Sequence, residues 1–384
     1  MLWCAFMVNA MAQEQENETA AIYLGPFDIV PTIGLNVSKD DNIFSQTNGN
    51  ETSSTLTLIK PAISGVASDG VVQYRFNYEI EDGSYSDIHN NDYTDHTIDL
   101  GFDWRADIRH LLELSTTFER GHDSRSPDSV TGIGLSELNE YEDRGVGARY
   151  TFGAEGSKGR IVIDYQNQRL HYTTNVDATQ VLDSDSETIG ASLLIAVGAV
   201  TRAVFQVTNV DTEFNNNALR NRQDRSFLVG AEWDVNGLMK GALKLGRTDN
   251  DLLNTTGDTS QSIGEGSVEW TPYEYSTFTL TASDRTENPS NNVGSFVKRR
   301  ETGLAWLHDW SDAFYTQLSF SQSRDAFAGV NRNDDTNTLQ FGINYTVRRW
   351  LNLGVAFSVE EKRSSDSTVE FDRNMATFFL SANL

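Results

Sequence analysis

From Phe27 to Leu384 the chain repeats one pattern. A segment of apolar residues alternating with polar ones is followed by a short turn, then another such segment, then a longer polar loop. In segment 335–348, Leu339, Phe341, Ile343, Tyr345 and Val347 alternate with Gln340, Gly342, Asn344 and Thr346. Segments 71–82, 93–106 and 350–362 read the same way, as in Val72, Tyr74, Phe76, Tyr78 and Ile80 of the first. A period of two puts one face of a β-strand in an apolar setting and the other in a polar one. Eighteen such segments run from 27–39 to 371–384.

The connections alternate in length. Short turns fall near Ile108, Gly156, Ala199, Gly237, Tyr273, Ser311 and Arg349, and longer loops at 40–51, 83–92, 123–139 and so on to 363–370. Short turns at one end and long loops at the other are the layout of a transmembrane antiparallel up-and-down β-barrel. A soluble barrel of this many strands would have to fill its interior with side chains, and no blade-sized repeat points to a propeller. In lipid the apolar face turns outward, and closure of the sheet satisfies every backbone group. The sequence therefore predicts an all-β fold of about 18 strands over 27–384.

Tryptophan placement gives a second signal. Trp104, Trp233, Trp270, Trp306, Trp310 and Trp350 all lie beside short turns. Indoles favour the bilayer interface, so these six are expected to form one girdle on the periplasmic side. Residues 2–12 are apolar and end in Ala10-Met11-Ala12, the small-x-small form of a cleavage site before Gln13. Residues 1–12 read as a signal peptide with a truncated start, since the basic beginning is missing, and 13–26 as a polar lead-in. The one cysteine, Cys4, falls inside that signal, so a processed chain has no thiol chemistry.

Composition narrows function. The net charge of -25 argues against nucleic-acid binding, which needs a basic face. No Gly-x-Ser-x-Gly elbow is present, and the six histidines show no metal-ligand spacing. No catalytic residue, cofactor or metal site is assigned, and the protein reads as a non-enzyme. Asp249 to Asp251 and Asn331 to Asp335 cluster oxygens and read as solvated loop acids rather than a cation site. Parity along the strands places Arg75, Glu79, Asp99, Asp103, Arg105, Glu113 and Glu119 on the inward face. It does the same for Arg149, Arg160, Asp164, Arg202, Glu232, Asp234, Lys244 and Glu269, and for Tyr315 and Gln340. Mixed charges and hydroxyls suit a polar lumen whose side chains tune selectivity. The longest loop, 123–139, is short for a constricting loop and favours a wide path.

Some short elements carry a family resemblance. They are Asp40-Asp41-Asn42-Ile43-Phe44, Leu58-Ile59-Lys60-Pro61, Asp92-Tyr93-Thr94-Asp95-His96, and the 109–125 strand from Arg109-His110 to Asp123-Ser124-Arg125. Across the chain beyond the signal, the sequence resembles the outer-membrane β-barrel porins encoded in bacterial exopolysaccharide and capsule loci. The final residue, Leu384, departs from the aromatic end usual in such barrels. The resemblance implies an outer-membrane channel in a Gram-negative envelope that exports a polysaccharide in biofilm or capsule formation. It implies as partners outer-membrane lipid, the barrel assembly machinery, a periplasmic polysaccharide export protein and the polysaccharide cargo. The alternatives are a general or nutrient-uptake diffusion porin and an enzymatic or adhesive barrel.

Overall fold

A computed structural model describes residues 22–135, 137–235, 237–254 and 259–383. The expected signal segment, with Trp3 and Cys4, lies outside these residues, as do 13–21 of the lead-in and Leu384. The strands in chain order are β1 (Ile22–Leu24), β2 (Phe27–Asp40), β3 (Ser54–Ser68), β4 (Val72–Tyr85), β5 (Tyr93–Asp107) and β6 (His110–Asp123). Next come β7 (Asn139–Phe152), β8 (Gly159–Tyr172), β9 (Ser184–Ala196), β10 (Thr201–Phe214), β11 (Arg222–Val235) and β12 (Met239–Leu252). The rest are β13 (Thr259–Tyr273), β14 (Ser276–Glu287), β15 (Val297–Ser311), β16 (Phe314–Phe327), β17 (Arg332–Arg348), β18 (Leu351–Ser364) and β19 (Phe371–Asn383).

From β2 onward each strand pairs antiparallel with the next, and β19 returns to β2 with Phe379 opposite Asn36. Eighteen strands thus close a ring without an edge. Closure matters because no water in the bilayer core can satisfy a free strand edge. The alternation carried the sequence reading to within a few residues at most strand ends. The lead-in is less plain than its composition suggests. Residues 22–24 turn at Gly25 and pair with the start of β2, Ile22 opposite Ile29. Gly25 adopts φ +62°, where a side chain would be strained.

The ladder keeps the two faces apart. Gln340 lies opposite Ser319 and Ser358, while Phe341 lies opposite Leu318 and Phe357. The apolar face has no protein cover: Leu245 is 62% and Phe357 54% exposed. Such a continuous apolar surface is built for lipid. Near the short turns that face becomes aromatic. Trp270, Phe278, Trp306, His308 and Trp310 follow one another at ring distances of 4.3–6.2 Å. Trp306 Nε1 donates to Ser276 Oγ at 3.0 Å, and Trp310 Nε1 donates to Thr316 Oγ1 at 3.1 Å. Trp104, Trp233 and Trp350 occupy the same end, and Trp104, Trp270, Trp310 and Trp350 are each exposed.

At the opposite end the outer face is charged. Arg120 pairs with Glu140 at 2.9 Å, Arg169 with Asp185 at 2.6 Å and Arg300 with Asp284 at 2.8 Å. A tilted spanning strand needs about 9–11 residues. Most of these strands have 13–15. The loop-side ends therefore stand above the apolar belt, where exposed ion pairs are tolerated.

Candidate functional site

The inward candidates pair across neighbouring strands. Arg75 is hydrogen-bonded to Asp103, Arg149 reaches Asp164 at 2.5 Å, and Arg202 lies 3.4 Å from Glu232. Lys244 bridges Glu265 and Gln206, and Glu79 shares Lys60 with Glu81. Glu119 accepts from Tyr141 at 2.7 Å, and Asp234 caps the short turn by accepting from Gly237 N. Arg105 and Arg160 flank a small cavity at the short-turn end with Arg109 and Glu155. Gln340, Tyr315, Asp99, Glu113 and Glu269 share the same face of the sheet by register. None of these residues converges on a single centre. They form a wall of local pairs with opposite signs.

Tyrosines lie along the loop-side part of that wall. Tyr93 donates to Glu81 at 2.9 Å and Tyr172 donates to Asp123 at 2.9 Å. Tyr93 lies flat because its neighbour is Gly83, where an added Cβ would meet the ring at 2.4 Å. The resemblance elements on this side are structural. Asn42 is fully buried, donates to Gln46 O and Asp372 O, and accepts from Gln46 N. Asp95 holds His122, and Asp92 accepts from Tyr85 N.

Convergence occurs elsewhere, at Asp128, Asn291 and Lys362, which the sequence reading did not single out, and within the Asn331 to Asp335 run that it took for solvated loop acids. The connection 124–138 between β6 and β7 does not stay over its own strands. Its Asp128 reaches β17 and β18, far around the ring. Arg332 donates to Asp128 through both terminal nitrogens at 2.7 Å. Lys362 Nζ donates to Oδ2 at 2.9 Å, and Asn291 Nδ2, from the 288–296 connection, donates to Oδ1 at 2.8 Å. Arg332 and Lys362 belong to the same face as Gln340. The loop therefore crosses to these strands on the polar face that Gln340 shares. What the loop's length did not suggest is this crossing, which the charge on Asp128 directs toward Arg332 and Lys362.

The anchor is held from behind. Arg332 also donates to Asp334 at 2.9 and 2.6 Å, and its guanidinium lies 4.5 Å from the centre of the Phe327 ring. Asp334 accepts from Ser364 at 2.6 Å and lies 3.0 Å from Lys362. The feet of the loop are tied as well: Arg125 donates to Asn90 O, and Asn175 donates to Glu137 O and Asn139 Oδ1. The carboxylates of the Asn331 to Asp335 run are thus not free, and Asp334, buried within β17, is not the solvated loop acid that the sequence suggested. Asp334 is committed to Arg332 and Lys362, and Asp335 to Arg324. Asp249 accepts from Ser260 and lies 3.5 Å from Arg247, and Asp251 lies 3.4 Å from Arg225. Among the described residues no group of His, Cys, Asp or Glu is arranged to hold a metal.

Burial opposes ionisation of Asp128, but the Arg332 hydrogen bonds and the charges of Lys362 and Arg332 prevail and hold its carboxyl below its ordinary range. A lowered folded value means its contribution is complete above the free carboxylate value of about 3.9 and is lost as pH falls through the folded value. Acidification to well below the free carboxylate range is therefore expected to free the loop. Protease cleavage within 124–138 should then rise in the native protein and be pH-independent in Asp128→Ala.

A second basic pair adjoins this site. Arg220 is buried, stacks on Phe214 at 4.3 Å, and reaches Pro289 O at 3.5 Å. Among the described residues its Nε and Nη1 find no hydrogen-bond partner, nor does Nη1 of Arg222. Burial first, and the Arg222 charge second, push the Arg220 guanidinium down to about 10.

A strand-only ring with a folded loop and a polar interior is the architecture of outer-membrane channels, and comparison with known proteins agrees. The family model described as Putative beta-barrel porin 2 matches residues 17–382. The chain belongs to that family. Solved structures similar to it include OccK2 (OpdF) of Pseudomonas aeruginosa. The identity is 11%, with 93% of this chain and 98% of that chain covered and a TM-score of 0.53. OccAB2 of Acinetobacter baumannii is 10% identical, with 94% and 98% covered and a TM-score of 0.52. The FrpB iron transporter of Neisseria meningitidis is 12% identical with a TM-score of 0.52. The match covers 90% of this chain but only 62% of FrpB. At these identities the likeness is one of fold. No curated protein matches the chain in sequence. This porin-family barrel is a protein of the bacterial outer membrane.

Proposed function

We propose that this member of the porin family is a passive diffusion channel for small polar solutes and carries out no chemistry of its own. The observation that carries the reading is the 124–138 loop anchored across the mouth by Asp128. A loop so held obstructs a bulky polymer more than a small molecule. The paired charges of the wall, such as Arg149 with Asp164, leave a polar surface with few uncompensated sites. Conduction needs such weak, exchangeable contacts, since a site that binds too well stops flow.

Export of an exopolysaccharide, the reading implied by the family resemblance, is the second candidate. It is less favoured because a polymer would have to displace the anchored loop along its whole passage. A periplasmic polysaccharide export partner belongs to that reading alone. Deletion in the native host separates the two. The diffusion reading expects unchanged cell-surface polysaccharide and slower uptake of small polar solutes. Loss of surface polysaccharide, with synthesis intact and uptake unchanged, would establish export instead.

A further inference from the structure

We propose that Arg332, Lys362 and Asn291 form a receptor for small carboxylate solutes, and that Asp128 occupies it as an internal ligand. The four donors on Asp128 engage both carboxylate oxygens at 2.7–2.9 Å, two of them in the parallel fork of one guanidinium. That planar, bidentate geometry is the one guanidinium groups use for carboxylates. All four donors come from β17, β18 and the 288–296 connection, and none from the loop that carries Asp128. The receptor is therefore built independently of its occupant.

It is also held in place without that occupant. Asp334 grips the other edge of Arg332, Ser364 grips Asp334, and Phe327 lies under the guanidinium. With Asp128 present, two acids face two bases: Asp128 and Asp334 against Arg332 and Lys362. With Asp128 withdrawn, a sheltered positive charge is left over. A solute carboxylate entering as Asp128 leaves restores the balance, so the exchange is electrically neutral. Arg220, with no acid partner among the described residues and with Nη2 3.5 Å from Pro289 O on the same connection as Asn291, adds positive charge to this side of the mouth. Exchange also releases the tip of the loop, so occupancy by solute widens the path. This last consequence rests on the channel reading above; the receptor itself does not.

The test is calorimetric titration of sodium succinate into the refolded barrel, against sodium chloride at equal ionic strength. An internal competitor lowers apparent affinity by the fraction of time the site is free, so Asp128→Ala should bind succinate about tenfold or more tightly than the native protein. Adding Arg332→Gln to Asp128→Ala should abolish that gain. Heat-modifiable gel mobility verifies folding, and Lys362→Gln in the Asp128→Ala background serves if the first double variant fails to fold. Equal affinity in Asp128→Ala and the native protein would overturn the proposal. So would undiminished binding in a folded double variant. Potassium chloride conductance of the same preparations is read separately. Absent conductance with the expected affinity order would remove the channel reading and leave the receptor standing.

Discussion

Arg332→Ala should destabilise the loop end of the barrel by about 3–5 kcal/mol, the range for removing one partner of a buried ion pair. Arg332 is 7% exposed and holds Asp128 and Asp334 at once, while Asp334 is only 3% exposed. Its loss leaves two carboxylates facing Lys362 alone. The loop tip then has one cation where it had two, and the mouth opens. Protease cleavage within 124–138 and single-channel conductance should rise together. Arg332→Lys should fall between, since it keeps the charge but not the fork that engages both oxygens of Asp128. Unchanged cleavage and conductance in folded Arg332→Ala would show that the anchor lies elsewhere.

Phe341→Arg should cost roughly 2–4 kcal/mol, the measured range for a cation placed on the lipid face near the midplane, whereas Gln340→Arg should cost little. The two positions are adjacent in sequence and opposite in environment. Phe341 is exposed on the apolar side between Leu318 and Phe357, and Gln340 lies between Ser319 and Ser358 on the side that Arg332 shares. Urea unfolding in detergent micelles or lipid vesicles reads both. Equal costs would mean that the faces have been assigned wrongly.

The barrel was legible because its signal is local. A period of two, repeated along the chain, dictates strand, face and turn at once, and the indoles mark one end. That Arg75, Arg149 and Lys244 fall on the polar face of their strands follows from the same rule. The crossing of the 124–138 loop was not legible, because it depends on contacts far apart in sequence. Asp128 sits in a stretch, Asp-Ser-Arg-Ser-Pro-Asp-Ser, that reads as an ordinary polar loop. Its partners Arg332 and Lys362 lie 204 and 234 residues away. The nearest signal was the oxygen-rich run Asn331 to Asp335, where Arg332 marked a cation at a loop-side strand end. Nothing local says which loop will reach it. The length of 124–138 likewise understated its reach, because a chord across the mouth needs fewer residues than a path along the rim.

This barrel is expected to conduct through a mouth narrowed by the 124–138 loop. Purified protein in planar lipid bilayers, with polyethylene glycols of graded size as blockers, measures both properties at once. The expected result is stepwise ion conductance in the native protein. Asp128→Ala should give larger steps and admit larger glycols. Absence of steps in both proteins, or identical conductance and size exclusion in the two, would contradict it.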